Sequence, residues 1–202
     1  MSGRWLVVAL AALTSACGYN RIQQLDESAQ AYQSQIEVQL QRRADLIPNL
    51  VNTVKGYAQH EEAVFTQVAN ARAGLVNAVQ THDPEQMAAA NATMTGALGR
   101  LFAVVEAYPQ LQASQNFRML QDELTGTENR IAVSRNDYNN SVNVYNAYIR
   151  QFPQVITAKV TGAKPRKYYQ AAAGSDVAPT VDFSRPAPTT PAQPAPPATK
   201  TP

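Results

Sequence analysis

"QLQRRADLIPNLVNTVKGYAQHE", residues 39–61, places Leu40, Ile47, Leu50 and Val54 on one face of an α-helix, and puts Arg43 in the middle of that same face. Upstream the stripe runs through Ile22, Leu25, Ala29, Tyr32 and Ile36 in alternating steps of three and four, and downstream it reaches Tyr57. Two steps of four fall in succession through Ile36 and Leu40 just before Arg43, a stutter that locally relaxes a left-handed supercoil. The pattern predicts a helix from about Arg21 to Tyr57, about 55 Å long at 1.5 Å per residue, that packs against other helices. Pro48 lies inside it without a backbone donor, so either it kinks one helix or Asp45 caps a second with Pro48 in its first turn. The stripe survives both readings.

The rest of the chain repeats this behaviour. "AVFTQVANARAGLVNAVQ" carries Val64, Val68, Ala71, Leu75 and Val79 on one face, and "THDPEQ" opens a third helix with Asp83 as N-cap and Pro84 in the first helical position. That helix runs to about Ala107 through Met87, Met94, Leu98, Leu101 and Val105, and "YPQLQAS" ends it. A fourth, from about Ser114 to Phe152, steps through Phe117, Leu120, Leu124, Thr127 and Ile131, takes a stutter to Arg135, and continues through Tyr138, Val142, Tyr145, Ile149 and Phe152. Each long helix therefore sets an arginine on its apolar stripe just after a stutter. The expected fold is all-α: an elongated antiparallel bundle in which two long, coiled-coil-like helices clasp two shorter ones.

The chain has 202 residues, enough for one domain with a real core and too few for two ordinary ones plus tails. Hydrophobic residues make up 45% but aromatics only 7%, which favours helix over sheet. The formal net charge is +2, with basic residues interleaved among acids, so no stripe for nucleic acid is formed and none is expected as a partner. "MSGRWLVVALAALTSACGYN" has a positive start, an apolar run from Trp5 to Leu13 and then small residues, the pattern of an export signal. The run falls short of the ~20 residues that span a bilayer. Cys17, the sole cysteine, follows "LTSA" where a bacterial lipoprotein signal is cut, although Thr14 stands where leucine is most usual. Residues 1–16 are read as signal peptide and 17–20 as the lipidated start and a short linker. Several acyl chains, at ~0.8 kcal/mol per buried methylene, make such an anchor stable. The other reading of Cys17 is a small apolar residue in an uncleaved anchor. Residues 21–152 are read as the bundle and 153–183 as an irregular continuation. Residues 184–202, "SRPAPTTPAQPAPPATKTP", are read as a Pro/Ala/Thr-rich tail that cannot bury apolar surface.

No reaction centre can be assembled. His60 in "QHEE" and His82 in "THDP" fit neither a metal nor a nucleophile pattern, since "HEEAV" lacks a second histidine four residues on. The pairs Asp122/Glu123 and Glu61/Glu62 are adjacent in sequence and point to different helix faces. "GALG" at Gly96 lacks the lysine of a phosphate loop. The expectation is a non-enzyme with no cofactor and no metal. The sharpest polar group is Arg43 and Arg135 on their stripes, expected to meet carboxylates such as Glu128 in a polar layer where the long helices cross. That layer either holds the bundle together or lines a groove for an anionic or peptide partner. Arg42 and Asp45 fit a solvated face, as do Asn136, Asn139, Asn140, Asn143 and Asn146. "AKVTGAKPRKYY" gathers Lys159, Lys164, Arg166 and Lys167 beside Tyr168 and Tyr169, either at a lipid interface or as a connector folding back on the bundle.

Several long stretches in order resemble the LemA family of bacterial envelope proteins: "GYN" at Gly18, "QRRADLIPNLVNTVKGYAQHE" from Gln41, "ARA" at Ala71, "AYPQLQASQNF" from Ala107, "LQDELTGTENRIAVSRNDYN" from Leu120 and "YNAYIRQFP" from Tyr145. The resemblance runs from about Gly18 to Phe183. It implies an exported or membrane-anchored helical bundle, and carries over no catalytic residue. Many members look anchored by a transmembrane helix, and the short apolar run with Cys17 departs from that pattern. The expectation is a lipid-anchored protein of the cell membrane or outer membrane, facing the periplasm or cell exterior. It binds or scaffolds other envelope proteins, assembles with itself as a structural coiled coil, or carries a small ligand or peptide at the layer around Arg43 and Arg135.

Overall fold

A computed structural model describes the backbone of residues 2–170 and the side chains of residues 18–170. The side chain of Cys17, residues 171–183 and the tail at 184–202 lie outside the described residues, and with them the lipid attachment and the Pro-rich segment. Six helices follow one another: α1 (Ser2–Lys55), α2 (Glu62–Gln80), α3 (Pro84–Val105), α4 (Pro109–Gln112), α5 (Gln115–Tyr148) and α6 (Gln154–Thr161). No strand occurs among the described residues, and the fold is all-α.

The helix expected from Arg21 begins at Ser2 instead and runs unbroken for 54 residues, about 80 Å at 1.5 Å per residue. Its stripe is its buried face, with Ile22, Leu25, Ala29, Ile36, Leu40, Arg43, Ile47, Leu50 and Val54 all buried. Tyr57 lies past the last turn and is exposed. The long helix α5 is antiparallel to α1: Arg42 pairs with Glu123 and Arg43 with Glu128, while Ile22 and Leu25 cluster with Tyr145 and Ile149. Phe117, Leu124, Thr127, Ile131, Tyr138, Val142 and Tyr145 carry its buried face. The stutter expected at Arg135 is absent: the buried face steps from Ile131 to Ser134 and Tyr138, takes its two successive fours through Tyr138 to Val142, and leaves Arg135 to one side. Phe152 falls outside the helix, which stops at Tyr148, and is exposed.

The hairpin of α2 and α3 packs on α1 and on itself. Asp83 caps α3 by accepting from the Glu85 amide at 2.9 Å, with Pro84 in the first turn, where its missing donor is harmless. "YPQLQAS" supplies a further helical turn, α4, which buries Leu111. One large core collects the α1 residues from Ala29 to Val54, the apolar faces of α2 and α3, Leu111, and α5 from Phe117 to Val142. A second, small cluster of Ile22, Leu25, Tyr145, Ile149 and Ala158 lies at the other end. The segment after Pro153, in which no periodicity is legible, contains α6. Eight residues are too few to display a helical period, and only Ala158 of this helix is buried. Gly162 ends it at φ 74, a left-handed cap that residues with a side chain rarely adopt.

The helix is continuous through Pro48, which is exposed, so Asp45 opens no second helix. A proline at position 48 cannot donate to the carbonyl of Ala44 four residues back, and Arg72 of α2 takes that carbonyl with its Nε at 2.8 Å. The bond that α1 loses is thus replaced by one that ties α2 to it. Arg72→Ala is expected to lower stability by about 1.5–3 kcal/mol in denaturant unfolding, the range for hydrogen bonds that involve a charged group. In a Pro48→Ala background, where the restored amide reclaims the carbonyl, the same substitution should cost less. Equal losses in both backgrounds would show that Arg72 acts through something else.

Candidate functional site

Three helices meet at Arg43. Its Nη1 donates to Asn91 Oδ1 at 2.6 Å and to Glu128 Oε2, and its Nη2 donates to Thr95 Oγ1 at 3.1 Å. Asn91 and Thr95 are four apart on α3 and share a face, so one turn of that helix presents both oxygens, and the Thr95 hydroxyl donates back to the Asn91 carbonyl at 3.0 Å. The Arg43 side chain is 4% exposed and that of Glu128 44%, so the pair reaches from the core to the surface. Burial pulls the Arg43 guanidinium below its ordinary pKa, and Glu128 and Tyr169 pull it back up. An arginine starts so high that it stays charged through this contest. Outside it, Glu123 receives Arg42 at 2.5 Å and lies 3.5 Å from Arg130, contacts open to solvent. Asp45 accepts from Gln41 on the exposed side.

Arg135 does not join the pair. It is half-buried and forms no ion pair among the described residues, because the buried face steps by three from Ile131 to Ser134, without the stutter expected there, and leaves position 135 on the flank. Tyr169 stands nearby instead, its phenol pushed up chiefly by burial and by Glu128, with Arg135 and Arg43 opposing.

Tyr169 reaches the layer on an extended strap, residues 163–170, that runs back along α5. Asn139 donates from Nδ2 to the Tyr169 carbonyl at 3.0 Å and accepts from the Tyr169 amide at 2.9 Å. Asn146 does the same to Arg166, at 2.9 and 2.8 Å. The Tyr138 hydroxyl donates to the Lys167 carbonyl and the Tyr145 hydroxyl to that of Lys164. Each carboxamide takes both polar groups of one strap residue, as a neighbouring β-strand would. The strap's own side chains reach other elements: Arg166 Nε meets Asp26 Oδ1 of α1 at 2.7 Å, and Lys167 meets Asp83 and Glu85 at the start of α3 at 3.0 and 2.9 Å. The connector reading of "AKVTGAKPRKYY" therefore describes Arg166 to Tyr169, while Lys159 and Lys164 remain exposed. Reading Asn139 and Asn146 as a solvated face missed this clasp. The legible signal was the dipeptide Tyr-Asn repeated seven residues apart, at 138–139 and 145–146, which sets both asparagines on one flank of α5.

The donors and acceptors at Arg43 are largely engaged with one another. Two surface grooves, of about 460 Å³ between α2 and α3 and about 450 Å³ at the α1–α2 corner, are lined by neither Arg43, Arg135 nor Glu128. His60 lies in the α1–α2 loop, and His82, at φ 53 in the α2–α3 turn, has Nδ1 3.0 Å from Glu37 of α1. Among the described residues no three His, Cys, Asp or Glu side chains converge as a metal site would require. No helix searched there is long and apolar enough to cross a membrane.

The LemA family model matches residues 32–183. Two relatives from Paramagnetospirillum magneticum, magnetosome proteins MamQ 1 and MamQ 2, are each 31% identical over 181 aligned positions, which cover 78% of this chain and 66% of the relative. The magnetosome protein MamQ of Magnetospirillum gryphiswaldense is 29% identical with the same coverage. The chain thus spans just under two thirds of the length of these relatives.

Arg43→Ala is expected to destabilise the bundle by about 3 kcal/mol, the low end for a broken buried pair because Glu128 keeps access to water. Arg42→Ala should change it by less than about 0.5 kcal/mol. Thermal unfolding of the two variants side by side tests this, and equal midpoints would remove Arg43 from its structural role. The strap has a pH signature. Asp83 is held below the usual carboxylate range first by its hydrogen bond from Lys167, so its contribution is full above the unfolded value of about 4 and is lost as pH falls through the depressed one. Lys167 is raised first by Glu85, so its part is full below about 10.4 and is lost as pH rises through the raised value. Protection of the Arg166 and Tyr169 amides in hydrogen exchange should be level between those limits and fall beyond them. In Asp83→Asn the acid-side fall should shrink without vanishing, since Asp26 and Glu85 still hold Arg166 and Lys167.

Proposed function

The chain belongs to the LemA family, and on that premise we propose a membrane-associated bacterial envelope protein without chemistry of its own, which binds another protein along its long helices. The membrane part follows from the family resemblance and from the apolar run at Trp5 to Leu13, with acylation at Cys17 as the anchor and the bundle on the periplasmic or outer side. The observation that carries the binding part is on α5. Met119, Val133 and Val144 are all exposed, and their separations of fourteen and eleven residues return each to nearly the same side of the helix. The three stand about 21 and 16 Å apart at 1.5 Å per residue, a spaced row along one solvent side rather than one contiguous patch, and that row is the surface offered to a long partner. The Arg43 layer serves the fold in this reading: its two terminal nitrogens are taken by Asn91, Thr95 and Glu128, and in the layer only the buried Nε and the Tyr169 hydroxyl lack a partner among the described residues. The relatives named magnetosome proteins supply a context in which a family member serves one bacterial structure, and the corresponding structure for this chain would be found through its partner.

In-cell crosslinking of the tagged, anchored chain, with mass spectrometry of what co-purifies from the membrane fraction, tests the reading. Recurrent crosslinks from α5 to one or a few other envelope proteins are expected. Val133→Asp should lose them while keeping the unfolding midpoint. Crosslinks only to the chain itself would replace the scaffold with a self-assembling coiled coil.

A further inference from the structure

At the end of the bundle remote from the α2–α3 hairpin's large core, α6 lies against the first described turns of α1. A methyl group at Gly18 would sit 3.5 Å from Thr157 Oγ1 of α6, and Ala158 is buried against Ile22, Leu25, Tyr145 and Ile149. Among the described residues nothing covers the opposite side of α6. Phe152 is 82% exposed, Ile156 55% and Val160 83%, and the spacing of four places Ile156 and Val160 on one side, with Phe152 in the turn just before. These three are more exposed than apolar residues of their size ordinarily are, and they stand within one short element.

The exposed charge around α6 is mostly basic, and Asp26, the nearest acid on α1, is taken by Arg166 at 2.7 Å. Arg21, Arg150, Lys159 and Lys164 are exposed here, and no carboxylate occurs in residues 18–25 or anywhere in residues 138–175. The backbone of α1 also continues from Gly18 back to Ser2, through Cys17 and the apolar run Trp5 to Leu13, so this end of the bundle is the one from which any N-terminal anchor departs. We propose that the outer face of α6, Phe152, Ile156 and Val160 flanked by Lys159, Lys164, Arg150 and Arg21, docks on a bilayer surface that carries anionic lipid. The inference rests on the membrane reading above and deepens it. The apolar side chains enter the acyl boundary, the cations remain among the headgroups, and the helix lies flat on the membrane as interfacial helices do. The anchor then fixes the bundle at one point and α6 at a second, which sets the direction in which α1 and α5 leave the membrane.

The test uses the full chain reconstituted in vesicles of phosphatidylethanolamine with phosphatidylglycerol, with a diazirine amino acid placed singly at Phe152, Ile156 or Val160 and, as controls, at Val38 or Met119. Flotation reports association, and mass spectrometry after irradiation reports what each position touches. Phospholipid adducts at the three α6 positions and not at the controls, reduced when phosphatidylcholine replaces phosphatidylglycerol, are the expected result. A chain that floats but gives no more adducts at α6 than at the controls overturns the inference and leaves the membrane reading standing. So does crosslinking of those positions to a second copy of the chain. A chain that does not float overturns both.

Discussion

A guanidinium inside a helical bundle must be met by oxygens, and at Arg43 those oxygens come from two other helices. Asn91 and Thr95 of α3 and Glu128 of α5 converge on the two terminal nitrogens, so sliding either helix by one turn, about 5.4 Å, would strand the charge. Leu, Val and Ala contacts along the stripes are tolerant of such slips, since one apolar residue resembles another. The buried arginine is not. Its desolvation is expensive, and the pair adds little net stability over a filled apolar core, so its contribution here is to register among α1, α3 and α5.

The same logic recurs at smaller scale. Pro48 deprives the Ala44 carbonyl of its partner, and Arg72 supplies one from α2. The strap has no helical bonds of its own, and Asn139 and Asn146 supply them from α5. In each case a backbone group that secondary structure leaves open is closed by a side chain from a different element, which converts a local deficit into a tertiary link. Arg166 and Lys167 extend the strap's reach to Asp26 of α1 and to the capped start of α3, so the short strap, held on α5 by Asn139 and Asn146, touches three helices.

The two ends of the bundle differ accordingly. Where α2 and α3 lie on the long pair, a large core holds Leu50, Leu75, Met94 and Leu101 out of water altogether. At the other end only a small cluster of five buried residues joins α1, α5 and α6, and the surface there is basic and apolar. Well-filled at one end, sparsely covered at the other, the molecule presents its unused contacts at α6 and along the solvent side of α5.

Periodicity by itself determined the all-α fold, the long helices and nearly all of their buried positions, because a 3.6-residue repeat states which side of a helix meets others whatever those others are. It also singled out Arg43 and named Glu128, since a charge on an apolar stripe demands a partner of opposite sign. Arg135 looked equivalent on the same grounds, and only the packed structure decided that the buried face keeps its regular step to Ser134 and leaves Arg135 at the flank. The helix α6 was too short to show a period, and the clasp by Asn139 and Asn146 depends on residues some thirty and twenty positions away. Asn91, Thr95 and Arg72 were equally unreadable as partners. A sequence pattern reports the environment of each residue along its own helix, whereas hydrogen bonds between elements are fixed by which helices lie side by side and at what height, and that is settled only when the whole core packs.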